Sequence, residues 1–255
     1  IILIYNIVRV GYTRINWTFL TSLPSRKPES AGIYTAIIGT LDLMLLTVLF
    51  AIPVGVGAGI YLEEYAKKSR LSSLLEINIS NLAGVPSIIY GLLGLGIFVR
   101  FFNFGGSILS GSLTLSLLIL PIIIVATREA IKAVPHSLKE ASFALGASKW
   151  QTIKDVVLPS SFGGILTGII LSLSRAIGET APLIVVGAMA YVPFVPQSIF
   201  DTFSVLPMQI FNWTTRPQQG FAIAASGAII VLLLITFIMN GIAVYFRNRW
   251  QKKLQ

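Results

Sequence analysis

The sequence predicts an all-α, polytopic membrane protein, and three observations support this fold class. Apolar residues make up 55% of the 255 positions, whereas charged residues make up only 11%. A soluble domain carries about 25% charged residues, so this chain has too few to cover a water-facing surface. The apolar positions also form continuous runs of helical length and do not alternate as the strands of a membrane barrel would.

Five apolar runs are long enough to cross a bilayer, which takes about 20 helical residues. They cover 33–62, 77–99, 108–127, 160–190 and 221–246. A sixth run, 1–8, is too short to cross, and we expect it to be the outer end of a first helix whose start is missing. The prediction is one transmembrane domain over 1–255 with six spans, so both termini lie on the same side.

Lysine and arginine are distributed unequally between the segments that connect these runs. Twelve of the 19 lie in 63–76, 128–159 and 247–255, whereas the segments on the opposite side hold six. Basic residues are enriched in loops that stay in the cytoplasm. The first set is therefore predicted to be cytoplasmic together with both termini. The net charge of +9 then reports orientation and does not indicate binding to nucleic acid.

The composition excludes several kinds of chemistry. The chain has no cysteine and a single histidine, His136, so it offers no disulfide and no cluster of metal ligands. The pattern G-x-x-x-x-G-K-[ST] does not occur, so the sequence contains no P-loop for ATP. We therefore expect no catalytic residue, no metal and no cofactor in this chain.

The longest polar segment, 128–159, contains a predicted short amphipathic helix. Ser137 and Glu140 have the S-x-x-E spacing of a capping box that would begin it. Gly146 allows a sharp turn at its end, and Ser148 is placed to cap the next helix. These residues by themselves are equally consistent with an ordinary connector and with a surface helix that contacts a partner.

Two charged residues lie inside the predicted fifth span, where each costs about 2.5–3.5 kcal/mol to insert. Arg175 and Glu179 are four residues apart, so one face of a continuous helix would carry both, with Ser172 on the same face. They either neutralise each other between helices or line a substrate path. In a path, the planar guanidinium would donate to an oxyanion, and Glu179 would weaken the binding enough for release.

Small and polar residues within the spans are predicted to serve packing. Gly55 with Gly59, and Gly164 with Gly168, have the small-xxx-small spacing that lets membrane helices approach closely. Asn240 in the last span is expected to form a hydrogen bond between helices rather than to bind a ligand. The charged residues just after the second span, among them Glu63 and Glu64, are expected to be solvated.

The polar segment and the spans together resemble a known family. Glu140-Ala141-Ser142, then Gly146, then V-x-L-P at 156–159 have the spacing of the EAA loop of ABC importer permeases. Serine at 142 and valine at 156 replace the usual alanine and isoleucine. Four further stretches resemble the PstA family of phosphate importer permeases more specifically. They are 39–47, 53–66, 81–92 and 174–183, the last reading S-R-A-I-G-E-T-A-P-L.

The resemblance implies the type I ABC importer permease architecture and import of inorganic phosphate by alternating access through the bacterial inner membrane. The substrate path would include Arg175, Glu179, Ser172 and Thr180. The short helix would couple to an ATPase through Ser137, Glu140, Ala141, Ser142, Leu145 and Gly146. The implied partners are the sister permease PstC, two copies of the ATPase PstB with bound ATP and Mg²⁺, and the phosphate-binding protein PstS.

Two alternatives stay open at this point. A permease for sulfate, molybdate or phosphonate would share the loop and the charged span. An ion-driven carrier would share the apolar runs, but such carriers are commonly built from inverted repeats, and none is evident in this sequence.

Overall fold

The structure is a computed structural model that describes residues 2–67 and 69–251. Within these ranges every regular element is helical, which confirms the predicted all-α fold. The α-helices are α1 Ile2–Gly11, α2 Trp17–Thr21, α3 Tyr34–Ile60, α4 Arg70–Leu82, α5 Ser87–Gly94, α6 Ile108–Lys132, α7 His136–Ala144, α8 Lys149–Thr152, α9 Leu158–Ile177, α10 Ala181–Val186, α11 Leu206–Thr214 and α12 Gln219–Gln251.

Among the described residues, three segments have the wider π-helical turn and lengthen the neighbouring α-helices. Tyr61–Tyr65 extends α3, Leu95–Phe101 extends α5, and Ile153–Val157 joins α8 to α9. Single π turns within longer helices are rare and occur frequently at functional sites.

Within the described part of the chain, four continuous helices are long and apolar enough to cross a membrane. They are Tyr34–Tyr65, Ile108–Lys132, Lys149–Ile177 and Gln219–Arg249. A bent pair, Ser72–Leu82 with Ser87–Phe101, passes the same test as one broken span. The ten described residues of α1 reach about 15 Å, about half of the hydrocarbon thickness. The chain is therefore a multi-pass membrane protein.

The bent pair differs from the single helix predicted over 77–99. The chain turns by 103° between α4 and the helix that begins with α5. Pro86 stands at the turn, where it lacks an amide hydrogen and disfavours the helical conformation of Val85. Only the part after Pro86 continues as an apolar helix.

The run predicted over 160–190 is also divided. α9 ends at Ile177, and α10 begins three residues after Gly178. Pro182 lies in the first turn of α10, where its missing amide hydrogen is tolerated, whereas inside a continuous helix its ring would clash with the carbonyl of Gly178.

The chain forms two compact units, each built from three separate segments. The first contains Ile1–Val48, Pro86–Ser116 and Ala176–Ile238, and the second contains Leu49–Val85, Leu117–Arg175 and Met239–Gln255. In the first unit, a buried cluster surrounds Trp213 and Phe221. There α10 also packs closely on α5, since a Cβ atom on Gly91 would lie 2.7 Å from the Cα of Pro182.

In the second unit, glycines bring two helices close to α6. Cβ atoms built on Gly164 and Gly168 of α9 would lie 2.7 and 2.2 Å from the Cβ atoms of Ala130 and Ala126. Gly55 and Gly59 of α3 approach α6 at Ile123 and Thr127. Both predicted small-xxx-small pairs are thus confirmed as packing contacts.

Candidate functional site

Arg175 lies in the last turn of α9, and its side chain is exposed. Ser172, three residues earlier, is fully buried, and its hydroxyl donates to the carbonyl oxygen of Gly168 at 2.8 Å. The hydroxyl proton of Ser172 is therefore donated within α9 and is not directed toward a substrate. Of these two predicted path residues, Arg175 is the exposed one.

Glu179 lies beyond the helix that carries Arg175. Its amide donates to the carbonyl oxygen of Ala176 at 3.2 Å, and the next residue, Thr180, is the N-cap residue of α10. Both Glu179 and Thr180 are half-buried. The prediction that one helical face carries Arg175 and Glu179 is wrong, because Pro182 forces the helix to end before position 179. Along the chain, Ser172 and Arg175 precede the end of α9, and Glu179 and Thr180 follow it.

Two polar contacts hold α12 against the arginine-bearing helix. The Ser174 hydroxyl donates to Oδ1 of Asn240 at 2.8 Å, and Nη1 of Arg247 donates to Oγ1 of Thr167 at 3.2 Å. In α9, Thr167 precedes Ser174 by seven residues, whereas in α12 the partner of Thr167, Arg247, follows Asn240 by seven residues. The two helices therefore run antiparallel. Asn240 thus forms the interhelical hydrogen bond that the sequence predicts, and its partner Ser174 directly precedes Arg175 in the chain.

We expect Asn240→Ala to lower stability without changing the apparent affinity for substrate. A hydrogen bond between membrane helices contributes about 0.6 kcal/mol on average and up to about 1.7 kcal/mol. The measurements are the thermal unfolding of the purified protein and the KM for uptake. An altered KM with unchanged unfolding would contradict the structural role of Asn240.

Helix α7 begins differently from its predicted start. The helix follows Pro135 directly and has no side-chain cap, so Ser137 is already inside its first turn. Glu140 does not reach back to Ser137, and its Oε1 lies 3.1 Å from Nδ1 of His136, four residues earlier. The predicted capping box of Ser137 and Glu140 is therefore wrong, because proline starts the helix at His136.

The end of α7 agrees with the sequence prediction. Gly146 has φ +84°, a left-handed conformation that glycine adopts without a Cβ penalty. Ser148 forms a complete capping box with Gln151 at the start of α8. The chain therefore turns sharply between α7 and α8.

Five of the six residues predicted to contact an ATPase are exposed. They are Ser137, Glu140, Ala141, Leu145 and Gly146. Leu145 is 90% exposed, and Phe143 beside it is 48% exposed. Ser142 is half-buried, and its hydroxyl lies 2.9 Å from that of Thr152 in α8. Ser142 therefore faces the rest of this chain, whereas the other five form a surface open to a partner.

The structure contains ion pairs near α7 that the sequence does not predict. Glu63 and Glu64, expected to be solvated, form ion pairs with Arg128 and Lys139. Arg128 also pairs with Glu76 of α4 at 2.9 Å. Opposite charges about 65 to 75 residues apart carry no sequence signal of their proximity, so only the fold identifies these pairs.

Long apolar helices, an arginine at the end of one of them and an exposed surface helix define a multi-pass permease of the kind that works with a partner protein. A sequence model of the family "Binding-protein-dependent transport system inner membrane component" matches residues 51–252. The chain belongs to this family.

Several named relatives are similar over nearly the whole chain. The probable ABC transporter permease protein YqgI of Bacillus subtilis is 33% identical, with 96% of this chain and 87% of YqgI aligned. The phosphate transport system permease protein PstA of Mycobacterium leprae is 34% identical over 92% of this chain and 77% of its own length. The PstA protein of Yersinia pestis is 33% identical over 94% and 81%.

Solved ABC importers share the fold. A chain of a bacterial alginate ABC transporter in complex with its alginate-bound periplasmic protein aligns with a TM-score of 0.71, covering 97% of this chain and 88% of that one at 15% identity. A chain of the MetNI methionine transporter in an inward-facing conformation aligns with a TM-score of 0.68, covering 86% and 97% at 16% identity.

Proposed function

We propose that this chain is a PstA-type permease subunit that forms part of the path for inorganic phosphate in an ATP-driven importer. The observation that carries the proposal is its similarity, at 33–34% identity over more than nine-tenths of its length, to proteins named as phosphate transport permeases. The fold it shares with ABC importers is compatible with several substrates, so the assignment of phosphate depends on these relatives.

In this proposal, Arg175 supplies hydrogen-bond donors to phosphate inside the membrane. A phosphate ion that enters an apolar span loses its hydration, and a guanidinium replaces it with a fork of charged donors. Glu179 repels the bound anion, so the ion is bound weakly enough to leave. Its carboxylate also accepts a hydrogen bond from protonated phosphate, which fully ionised sulfate cannot donate. Thr180 adds a neutral hydroxyl at the break between α9 and α10.

The subunit would work with separate partners that provide energy and substrate. These are the sister permease PstC, two copies of the ATPase PstB and the phosphate-binding protein PstS. ATP and Mg²⁺ would bind to PstB, and this chain would contain no cofactor and no catalytic residue. α7 would be the coupling helix, seated on PstB through Ser137, Glu140, Ala141, Leu145 and Gly146. This arrangement requires α7 and both termini to lie in the cytoplasm of a bacterial cell.

The test is a reconstituted complex with two binding proteins that differ in their anion. We expect phosphate-loaded PstS to stimulate ATP hydrolysis and drive uptake of labelled phosphate into proteoliposomes. A sulfate-binding protein loaded with sulfate is the matched control and should stimulate neither. Stimulation by the sulfate protein alone would replace phosphate by sulfate in the proposal. Transport without a co-purifying ATPase would contradict the proposal altogether.

A further inference from the structure

A nearly buried ion pair joins the proposed coupling helix to the end of α3. Nζ of Lys139 in α7 contacts Oε1 of Glu64, and their side chains are only 16% and 11% exposed. The pair lies within the second unit of the fold. A further contact, between Nδ1 of His136 and Oε1 of Glu140, is largely exposed and stays inside α7, so it connects this helix to nothing else.

The π-helical turn that ends α3 directs three consecutive residues toward three different helices. Glu63 pairs with Arg128 of α6 at 3.4 Å, and Glu64 pairs with Lys139 of α7. The ring of Tyr65 lies 4.8 Å from Nζ of Lys149, at the start of α8. This π-helical turn therefore contacts α7 itself and the helices that precede and follow α7 in the chain. π turns within longer helices occur frequently at functional sites.

The ion pair is suited to transmitting movement. A carboxylate and an ammonium with little access to water are costly to separate, because each would be left as an uncompensated charge. If a partner displaces α7, Lys139 therefore carries Glu64 and the end of α3 with it. Another polar contact of α7, between the hydroxyls of Ser142 and Thr152, is uncharged and leads to α8 instead.

We propose that the Glu64–Lys139 ion pair is the contact through which the coupling helix moves α3 during transport. The two residues are positioning residues, since they act through helices and touch no substrate. The inference deepens the proposed function and depends on its assignment of α7 as the coupling helix. α3 is a membrane span, so movement at Glu64 reaches the bilayer along one continuous helix, Tyr34–Tyr65.

The test compares Glu64→Gln, Lys139→Met and the charge exchange Glu64→Lys with Lys139→Glu in the whole reconstituted complex. Three quantities are measured: subunit co-purification, ATP hydrolysis, and phosphate transported per ATP. We expect the single variants to assemble and hydrolyse ATP, but to transport about tenfold less phosphate per ATP, which corresponds to a typical coupling free energy. The exchange variant should recover most of this loss, because it keeps both charges in contact.

Lys132→Met is the matched control, since Lys132 is exposed and forms no ion pair within the described residues. It should leave phosphate per ATP unchanged. Normal phosphate per ATP in both single variants would overturn the inference, as would a charge exchange that assembles but stays uncoupled. If the single variants do not assemble, the phosphate transported per ATP is measured in the exchange variant and in Lys139→Arg, and a low value in both would overturn the inference.

Measurements on the wild-type complex distinguish failure of this inference from failure of the proposed function. If it takes up phosphate and its single variants stay coupled, only the role of the ion pair fails. If it neither binds an ATPase nor responds to phosphate-loaded PstS, the proposed function fails and the inference fails with it.

Discussion

Replacing Arg175 by glutamine should reduce phosphate uptake by about 100-fold or more while the complex still assembles. Hydrogen bonds to charged groups contribute about 1.5–3 kcal/mol each, so losing a fork of two corresponds to at least two orders of magnitude. Arg175 is exposed in the last turn of α9, so its removal leaves no cavity in the protein core. The measurement is uptake of labelled phosphate into proteoliposomes, with co-purification of the subunits measured in parallel.

Arg175→Lys is the control for charge alone. It keeps the positive charge but loses the planar fork of donors, so uptake should fall between that of the wild type and that of Arg175→Gln. Equal losses in both variants would indicate that the geometry of the guanidinium is essential. Normal uptake by Arg175→Gln would contradict the role of Arg175 in the path, and parallel loss of assembly would indicate a structural role instead.

Replacing Gly168 by leucine should strongly destabilise the packing of α9 on α6. A Cβ atom at Gly168 would already lie 2.2 Å from the Cβ of Ala126, so even the first added carbon forces α9 away from α6. Overpacking that shifts side chains and backbone typically costs about 1–3 kcal/mol and occasionally more. Native proteins have only about 5–15 kcal/mol of stability, so we expect a clear fall in thermal stability and in the yield of folded protein. The measurement is the yield and thermal stability of the solubilised protein.

Two controls test whether the close approach is the cause. Gly241→Leu changes a helical glycine whose Cβ would meet no described atom within 4 Å, and it should retain the wild-type yield. Gly168→Ala alone should be destabilising. The double variant Gly168→Ala with Ala126→Gly should restore stability, because it moves one methyl group from α6 to α9 and leaves a single methyl group at the contact. A Gly168→Leu variant as stable as the Gly241→Leu variant would refute the packing explanation.

The candidate path and coupling residues are recognisable in the sequence, because charge inside an apolar run is rare and a glycine after a polar helix is distinctive. Arg175 is identified by its cost in the bilayer, and the turn at Gly146 follows from its missing Cβ. The geometry around them is less predictable. The distance along the chain from Arg175 to Glu179 is that of one helical turn, but a proline three residues after Glu179 ends the helix before it.

The ion pairs around α7 show a second limit. Glu63 and Glu64 follow a span, where solvated charge is the usual outcome, and nothing local distinguishes them from such residues. Lys139 is 75 positions from Glu64 along the chain. Their contact depends on the packing of α3, α6 and α7, which is set by apolar and small residues elsewhere.

The sequence by itself determined that this chain is helical, that it crosses the membrane several times and that its charge is concentrated outside the spans. These properties follow from composition and from the length of apolar runs, because a bilayer accepts only segments that satisfy their own backbone hydrogen bonds. The tertiary structure alone decided which side chains are neighbours. Hydrogen bonds such as Ser174–Asn240 and the ion pair Glu64–Lys139 form between helices far apart in the chain, and the close packing of Gly168 on Ala126 brings such helices together.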